Sequence, residues 1–247
     1  MSTGADLQRS DIPAAAVWLV CAAIYAVITI LGFANPSLLV GPPTELGRYH
    51  ELGLIEMLQN IILTIALALS ALLAIRARDR MLCAWAVVIA LGTLFVLGEE
   101  ISWGQHFFGW ATTGVFERIN DQGETNLHNT ADGWFDQKPR ALLLLGMIVG
   151  AIVHPLVKRF RGGRGLFDHP WWLAPTLASL APVVASQIAA LPKTLDSLND
   201  HLHFLTSSAQ AFMGGIRGSE VEEVFLYIFF VTYTASILKR LPPRPPH

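Results

Sequence analysis

Apolar residues run in long blocks along this chain, and the polar ones gather between the blocks. From Ile12 to Thr44 no acidic or basic side chain occurs, and the apolar part extends from Pro13 to Phe33. A helix needs roughly 20 mainly apolar residues to cross a bilayer, so this block predicts a first span. A secretory signal has a shorter core and a more basic start than Arg9 between Asp6 and Asp11, so the span is read as retained. Similar blocks at about 52–75, 81–98, 141–157, 171–190 and 224–238 predict five more spans. Pro175 and Pro182 predict a kink in the fifth of the six. The expected fold is all-α: a polytopic transmembrane helix bundle of about six spans in one domain, residues 1–241, with a proline-rich tail at 242–247.

Charge follows the same blocks. In a six-span arrangement with both termini cytoplasmic, 11 of the 17 Lys and Arg residues fall on one side, together with four of the 19 acids, Asp6, Asp11, Asp79 and Asp168. That side sums to +7 and the opposite side to -9. The positive-inside rule makes the basic side cytoplasmic. The expected location is the cell inner (plasma) membrane, crossed several times.

Composition sharpens this. Of 247 residues, 53% are hydrophobic and 15% charged, against about 25% charged in soluble domains. A formal net charge of -2 gives no basic surface for nucleic acid. Two cysteines, Cys21 and Cys83, exclude a disulfide framework or a Cys-rich zinc module.

The unusual polar residues concentrate at the outer, acidic side. Two long outer connections are expected there, 99–140 and 191–222, with a shorter one at 34–51. Glu99 and Glu100 abut the third span. If its helix continues, Glu99, Ser102 and His106 stand at i, i+3 and i+7 on one face. Glu56 lies one turn inside the second span, with Gln59 and Asn60 beside it, and an ionisable residue in a spanning helix is a functional candidate by default. Ser219 and Glu222 have capping-box spacing at the start of the sixth span. That accounts less well for Glu223, which only 15 uncharged residues separate from Lys239. Glu124, His128 and Asp132 follow one another at i+4 and would line one face of a helix. His201 and His203, after Asp200, would share a face in an extended segment. His154, near the cytoplasmic end of the fourth span, reads as structural.

Carboxylates and imidazoles from several connections thus meet at one membrane face. Glu and His on facing helices suit a divalent zinc, iron or manganese ion. The expected ligands are Glu56, Glu99, Glu100, His106, His128 and Glu223, with Glu99, Glu100 and Ser102 as catalytic candidates. The alternative is a site in which one or more Glu stay protonated as general acids.

The segments Gly98-Glu-Glu-Ile-Ser-Trp-Gly-Gln105 and Gly123-Glu-Thr-Asn-Leu-His-Asn129, with Glu51-x-Gly53-x-x-Glu56, resemble a family of bacterial polytopic membrane proteins with no assigned activity. The resemblance covers about residues 50–130; members often carry Arg where this chain has His106. Ser102-x-x-x-His106 is similar to one zinc-site element of alkaline ceramidases, whose later His-x-x-x-His is absent here. Glu99-Glu100 and His128-x-x-x-Asp132 are similar to elements of prenyl-protein endopeptidases. Gly104 replaces the Arg of that pattern, and its Phe-x-x-x-His is missing.

The leading expectation is a metal-dependent membrane enzyme acting on a lipid or lipid-linked substrate at headgroup depth. The first alternative is a proton- or cation-coupled transporter or ion-binding protein. The second is a membrane scaffold subunit whose acidic face binds a partner.

Overall fold

The computed structural model describes residues 11–40, 53–120, 123–127, 130, 134–205, 208–209 and 216–242, without the side chains of residues 106 and 134–139. The long helices are α1 (Ala14–Ala34), α2 (Leu54–Arg76), α3 (Arg80–Glu100), α4 (Trp134–Ile148), α5 (Leu180–Leu202) and α6 (Gly218–Arg240). Five helices are long and apolar enough to cross a membrane: α1, α2, α3, the stretch Arg140–Phe160 that begins in α4, and α6. Their surfaces carry many exposed large hydrophobics, among them Leu19, Ile30, Ile75 and Leu91. A water-soluble monomer does not expose apolar surface on that scale.

α2 and α3 form an antiparallel hairpin through residues 77–79. Asp79 starts α3 by accepting the amide hydrogen of Leu82 on its carboxylate at 2.7 Å, an N-cap bond that satisfies one otherwise orphaned donor. α6 packs between α2 and α5, and α1 covers α5. The apolar window of α6 is 78% buried, against 17% for α1, so α6 is the central helix. In lipid, helices associate by close packing and interhelical hydrogen bonds rather than by the hydrophobic effect. Gly218 supplies such an approach: a Cβ there would lie 2.8 Å from the carbonyl oxygen of Ala189 on α5.

The expected span at 171–190 does not form as one helix. Residues 171–176 are irregular, Leu177–Ser179 make a single 3-10 turn, and α5 begins at Leu180. Pro175 has no N–H to give a helix, whereas Pro182 sits in the first turn of α5, where the missing donor has no carbonyl to serve. α5 continues through Pro192 to Leu202, well past the expected end. Its second half carries Lys193, Asp196 and Asp200, and it is not among the five apolar helices. The chain nevertheless traverses the bundle here. The Tyr233 hydroxyl of α6 donates to the Trp172 carbonyl at 2.9 Å, while Ala189 packs on Gly218 at the other end of α6. This passage along α6 is therefore part irregular, part helix. Its irregular part is enclosed by protein, since Trp172, Ala178 and Ser179 are buried.

A second irregularity faces the first. The helix that starts as α4 passes through a π turn at Val149–Val153 before His154–Phe160. Pro155 follows directly, and a proline ring displaces the carbonyl four residues back. Gly150 in this turn lies against Pro175: an added Cβ would approach the proline ring to 2.8 Å. Just beyond, the His154 Nδ1 accepts the Leu166 and Phe167 amides at 3.1 and 3.3 Å, and its ring stacks on Phe167. His154 thus shapes the following loop, the structural role expected from the sequence.

Candidate functional site: the acidic end of the bundle

The end of α3, the starts of α2 and α6, and the start of the Arg140–Phe160 stretch meet at one end of the bundle. Two hydrogen-bonded groups form there.

The first joins the two sequence motifs. α3 does not continue into 101–110 as expected. Ser102, Trp103 and Gly104 adopt positive φ values of 45°, 56° and 101° and reverse the chain before the short helix Gln105–Phe108. Glu99, Ser102 and His106 therefore do not form a helical stripe. Gly98 permits the reversal, because the Trp103 ring occupies the space beside it at 2.9 Å from where a Cβ would stand. Trp103 Nε1 then donates to Glu99 Oε1 at 2.7 Å, and the Leu127 amide donates to Glu99 Oε2 at 2.7 Å. Ser102 Oγ donates to Glu124 Oε2 at 2.8 Å, and Asn126 Nδ2 bonds both of these atoms, at 2.9 and 2.6 Å. Gln105 closes the group by accepting the Thr125 amide at 2.7 Å and donating to Thr112 Oγ1 at 2.9 Å. Residues 123–127 are not helical, so the i+4 spacing of Glu124 has no helical meaning here. Glu99, Ser102, Gln105, Glu124 and Asn126 are all buried.

The second group lies among the helices. The Tyr227 hydroxyl of α6 donates to Glu100 Oε1 at 2.6 Å. One turn earlier on α6, Glu223 forms an ion pair through Oε1 with Arg140 of α4. Glu223 Oε2 accepts from Gln59 Nε2 of α2 at 3.2 Å, and the same nitrogen donates to the Glu220 carbonyl at 3.0 Å. The charges of Glu100, Glu223 and Arg140 all act on Tyr227. Glu223 is 5% exposed and Gln59 fully buried, while Glu56, Glu100 and Arg140 are only half-buried. The group thus has a sealed base and an open rim. Glu100 and Glu99, adjacent in sequence, serve different groups because successive helical residues point about 100° apart.

Ser219 does not cap α6. The N-cap position is Arg217, without a side-chain cap bond, and Glu222 turns inward and is buried. Arg217 pairs instead with Glu220 at 3.0 Å. At the end of α5, Asp200 and His201 are helical and His203 takes a left-handed φ of 52°, so the two imidazoles do not share an extended face.

The expected metal ligands are thereby distributed: Glu99 in the motif group, Glu100 and Glu223 in the interhelical group, and Glu56 half-buried in the first turn of α2. Among the described residues, no three His, Cys, Asp or Glu side chains converge on a cation position. His128, Glu51, Asp132 and the His106 side chain lie outside the described residues. Arg140 and Tyr227 were not singled out from the sequence, although Tyr227 stands at i+4 from Glu223 and Arg140 directly precedes an apolar run.

The fold and site define a polytopic helical membrane protein with a buried polar cluster at its acidic end. Comparison with known protein families, curated proteins and solved structures gives no match.

Proposed function

We propose that the protein is a membrane-embedded enzyme that performs acid–base chemistry on a lipid or lipid-linked substrate at the acidic end of the bundle. The observation that carries this reading is Glu223, a buried carboxylate held between Gln59 and Arg140 beside the Glu100–Tyr227 pair. Four helices contribute to a cluster whose rim is reachable from outside. Buried ionisable groups in spanning helices are expensive to keep and mark functional sites.

In this reading Arg140 receives an anionic oxygen of the substrate headgroup, a carboxylate or phosphoryl oxygen. Glu100 takes a proton from a water that attacks an ester carbon or phosphorus of the substrate, and returns it to the alkoxide that departs as the ester bond breaks, with Tyr227 fixing its orientation. Gln59 holds Glu223 in place when the substrate shares Arg140. The motif group around Glu99 and Ser102 acts as the clamp that sets the end of α3, and hence Glu100. The acidic end faces away from the cytoplasm, because the basic segments crowd the opposite end. With the broken fifth crossing counted, both termini are cytoplasmic.

Among the described residues Glu223 pairs with Arg140, Glu99 accepts from Trp103 and Leu127, and Glu100 accepts from Tyr227, so this reading assigns no step to a divalent ion. Stoichiometric zinc, iron or manganese in purified protein, lost on His128→Ala, would replace this reading with a metal-dependent one.

The test is a reconstitution into vesicles of total bacterial lipid, with products followed by mass spectrometry. A new lipid species that wild type makes, and that Glu100→Gln forms on the order of a hundredfold more slowly, supports the reading. Equal product from both proteins, or none from wild type, overturns it.

A second reading, transport, is favoured by one observation. The π turn at Gly150 and the irregular stretch around Pro175 face each other within the bundle, and broken helices at membrane depth often line a substrate path. Uptake of a polar solute by the same vesicles, without chemical change, would select it.

A further inference from the structure

At the end of the bundle opposite the acidic cluster, a cavity of about 390 Å³ opens between the α2–α3 turn, the end of α6 and Trp171. Its walls are of two kinds. Arg76 and Arg78 supply guanidinium groups, while Leu82, Leu238, Leu241 and the Trp171 indole supply apolar surface. The geometry points to a binding site for the phosphate headgroup of an anionic phospholipid, formed where Arg76 and Arg78 meet this apolar wall.

The charge balance favours an anion. Neither Arg76 nor Arg78 makes an ion pair or hydrogen bond among the described residues, and both are exposed. Asp79, the acid at the same rim, is engaged in capping α3 through the Leu82 amide. Arg240 does not line the cavity but holds Trp171, which does. Its guanidinium lies 5.0 Å from the Trp171 ring centre, and it is buried to 8% exposure. Its Nε donates to the Ser236 carbonyl at 3.1 Å, while Nη2 has no partner among the described residues. Asp11 is the acid whose charge reaches it.

The apolar half of the wall favours a lipid over a free anion. Leu82 and Leu238 belong to helices that cross the membrane, so a headgroup on Arg76 and Arg78 leaves its acyl chains free to follow α3 and α6. Arginine recognises phosphate through its planar fork of donors. Basic pockets between spanning helices on the cytoplasmic side bind anionic headgroups by the same chemistry.

The experiment uses the full chain in phosphatidylcholine nanodiscs containing a small fraction of phosphatidylglycerol, with retained lipid counted by native mass spectrometry. Wild type should retain phosphatidylglycerol, and Arg76→Gln/Arg78→Gln should weaken retention on the order of tenfold. Arg161→Gln/Arg164→Gln, which removes equal charge outside the cavity, should leave retention unchanged. Both arginines are exposed, and an unchanged elution profile of the variant verifies that it folds. Equal loss in both double variants would reduce the effect to general surface charge and overturn the site. Stabilisation by inorganic phosphate alone at the same phosphate concentration, abolished in Arg76→Gln/Arg78→Gln, would assign the cavity to free phosphate and overturn the lipid assignment.

Discussion

The Tyr227 hydroxyl donates to the Glu100 carboxylate at 2.6 Å, tying the last residue of α3 to the third turn of α6. Tyr227→Phe keeps the ring and removes one hydrogen bond to a charged acceptor, a loss of about 1.5–3 kcal/mol. Denaturant unfolding in detergent micelles should show it. A variant as stable as wild type would mean that the bond contributes nothing.

Arg140 and Glu223 should behave as a coupled pair. Removing either partner leaves the other poorly compensated in a largely buried place, so Arg140→Met or Glu223→Leu alone should cost about 3 kcal/mol. The double variant should cost less than the sum of the two. Strict additivity in a double-mutant cycle would show that the ion pair is not energetically coupled.

Gly98→Ala should disturb the chain reversal that follows α3. The added methyl would stand 2.9 Å from the Trp103 ring, which must then move and release Glu99 Oε1. Overpacking of this kind costs about 1–3 kcal/mol. Tryptophan emission should shift as the Trp103 indole leaves its place. Thr93→Ala, which loses only a bond to the Ile89 carbonyl of its own helix, serves as the control.

Acid should loosen the loop after Phe160. The Gly165 amide donates to Asp168 at 2.6 Å and Lys158 lies 3.1 Å away, and these hold the carboxyl below its ordinary value of 3.8. A carboxyl depressed in the folded state stabilises it above its unfolded pKa, and that contribution is lost as pH falls through the folded pKa. Hydrogen exchange at Gly165 should therefore accelerate, relative to the intrinsic rate, only below about pH 4. Asp168→Asn should remove that step. Protection that stays constant into strong acid would contradict it.

Much of the helical frame was legible in the sequence, because apolar block length is a direct demand of the bilayer. The blocks at 13–33, 52–75 and 81–98 lie within two residues of α1, α2 and α3 at each end. The block at 171–190 was read as one kinked helix, whereas around Pro175 its first part is irregular backbone, which hydropathy cannot distinguish from helix. Glu99, Glu100 and Glu223 were recognisable as costly residues beside apolar runs, but their partners were not. Arg140 reads as an ordinary flanking cation until α4 is seen to bring it to α6. The reversal at Ser102–Gly104 was hidden for a different reason. Only one of its three positive-φ residues is glycine, and the compensation comes from Glu124 and Asn126, more than 20 residues away.

The central position of α6 also bears on how the protein is made. It is the least apolar of the five membrane-length helices, with a hydropathy of 1.5 against 2.5 for α1, and it begins with Glu220, Glu222 and Glu223. It follows α2, α4 and α5 in chain order, so Gln59, Arg140 and the Ala189 groove have all been synthesised before α6 leaves the ribosome. The partners that its buried glutamates need precede it in the chain, and α6 is the element whose arrival completes the acidic cluster.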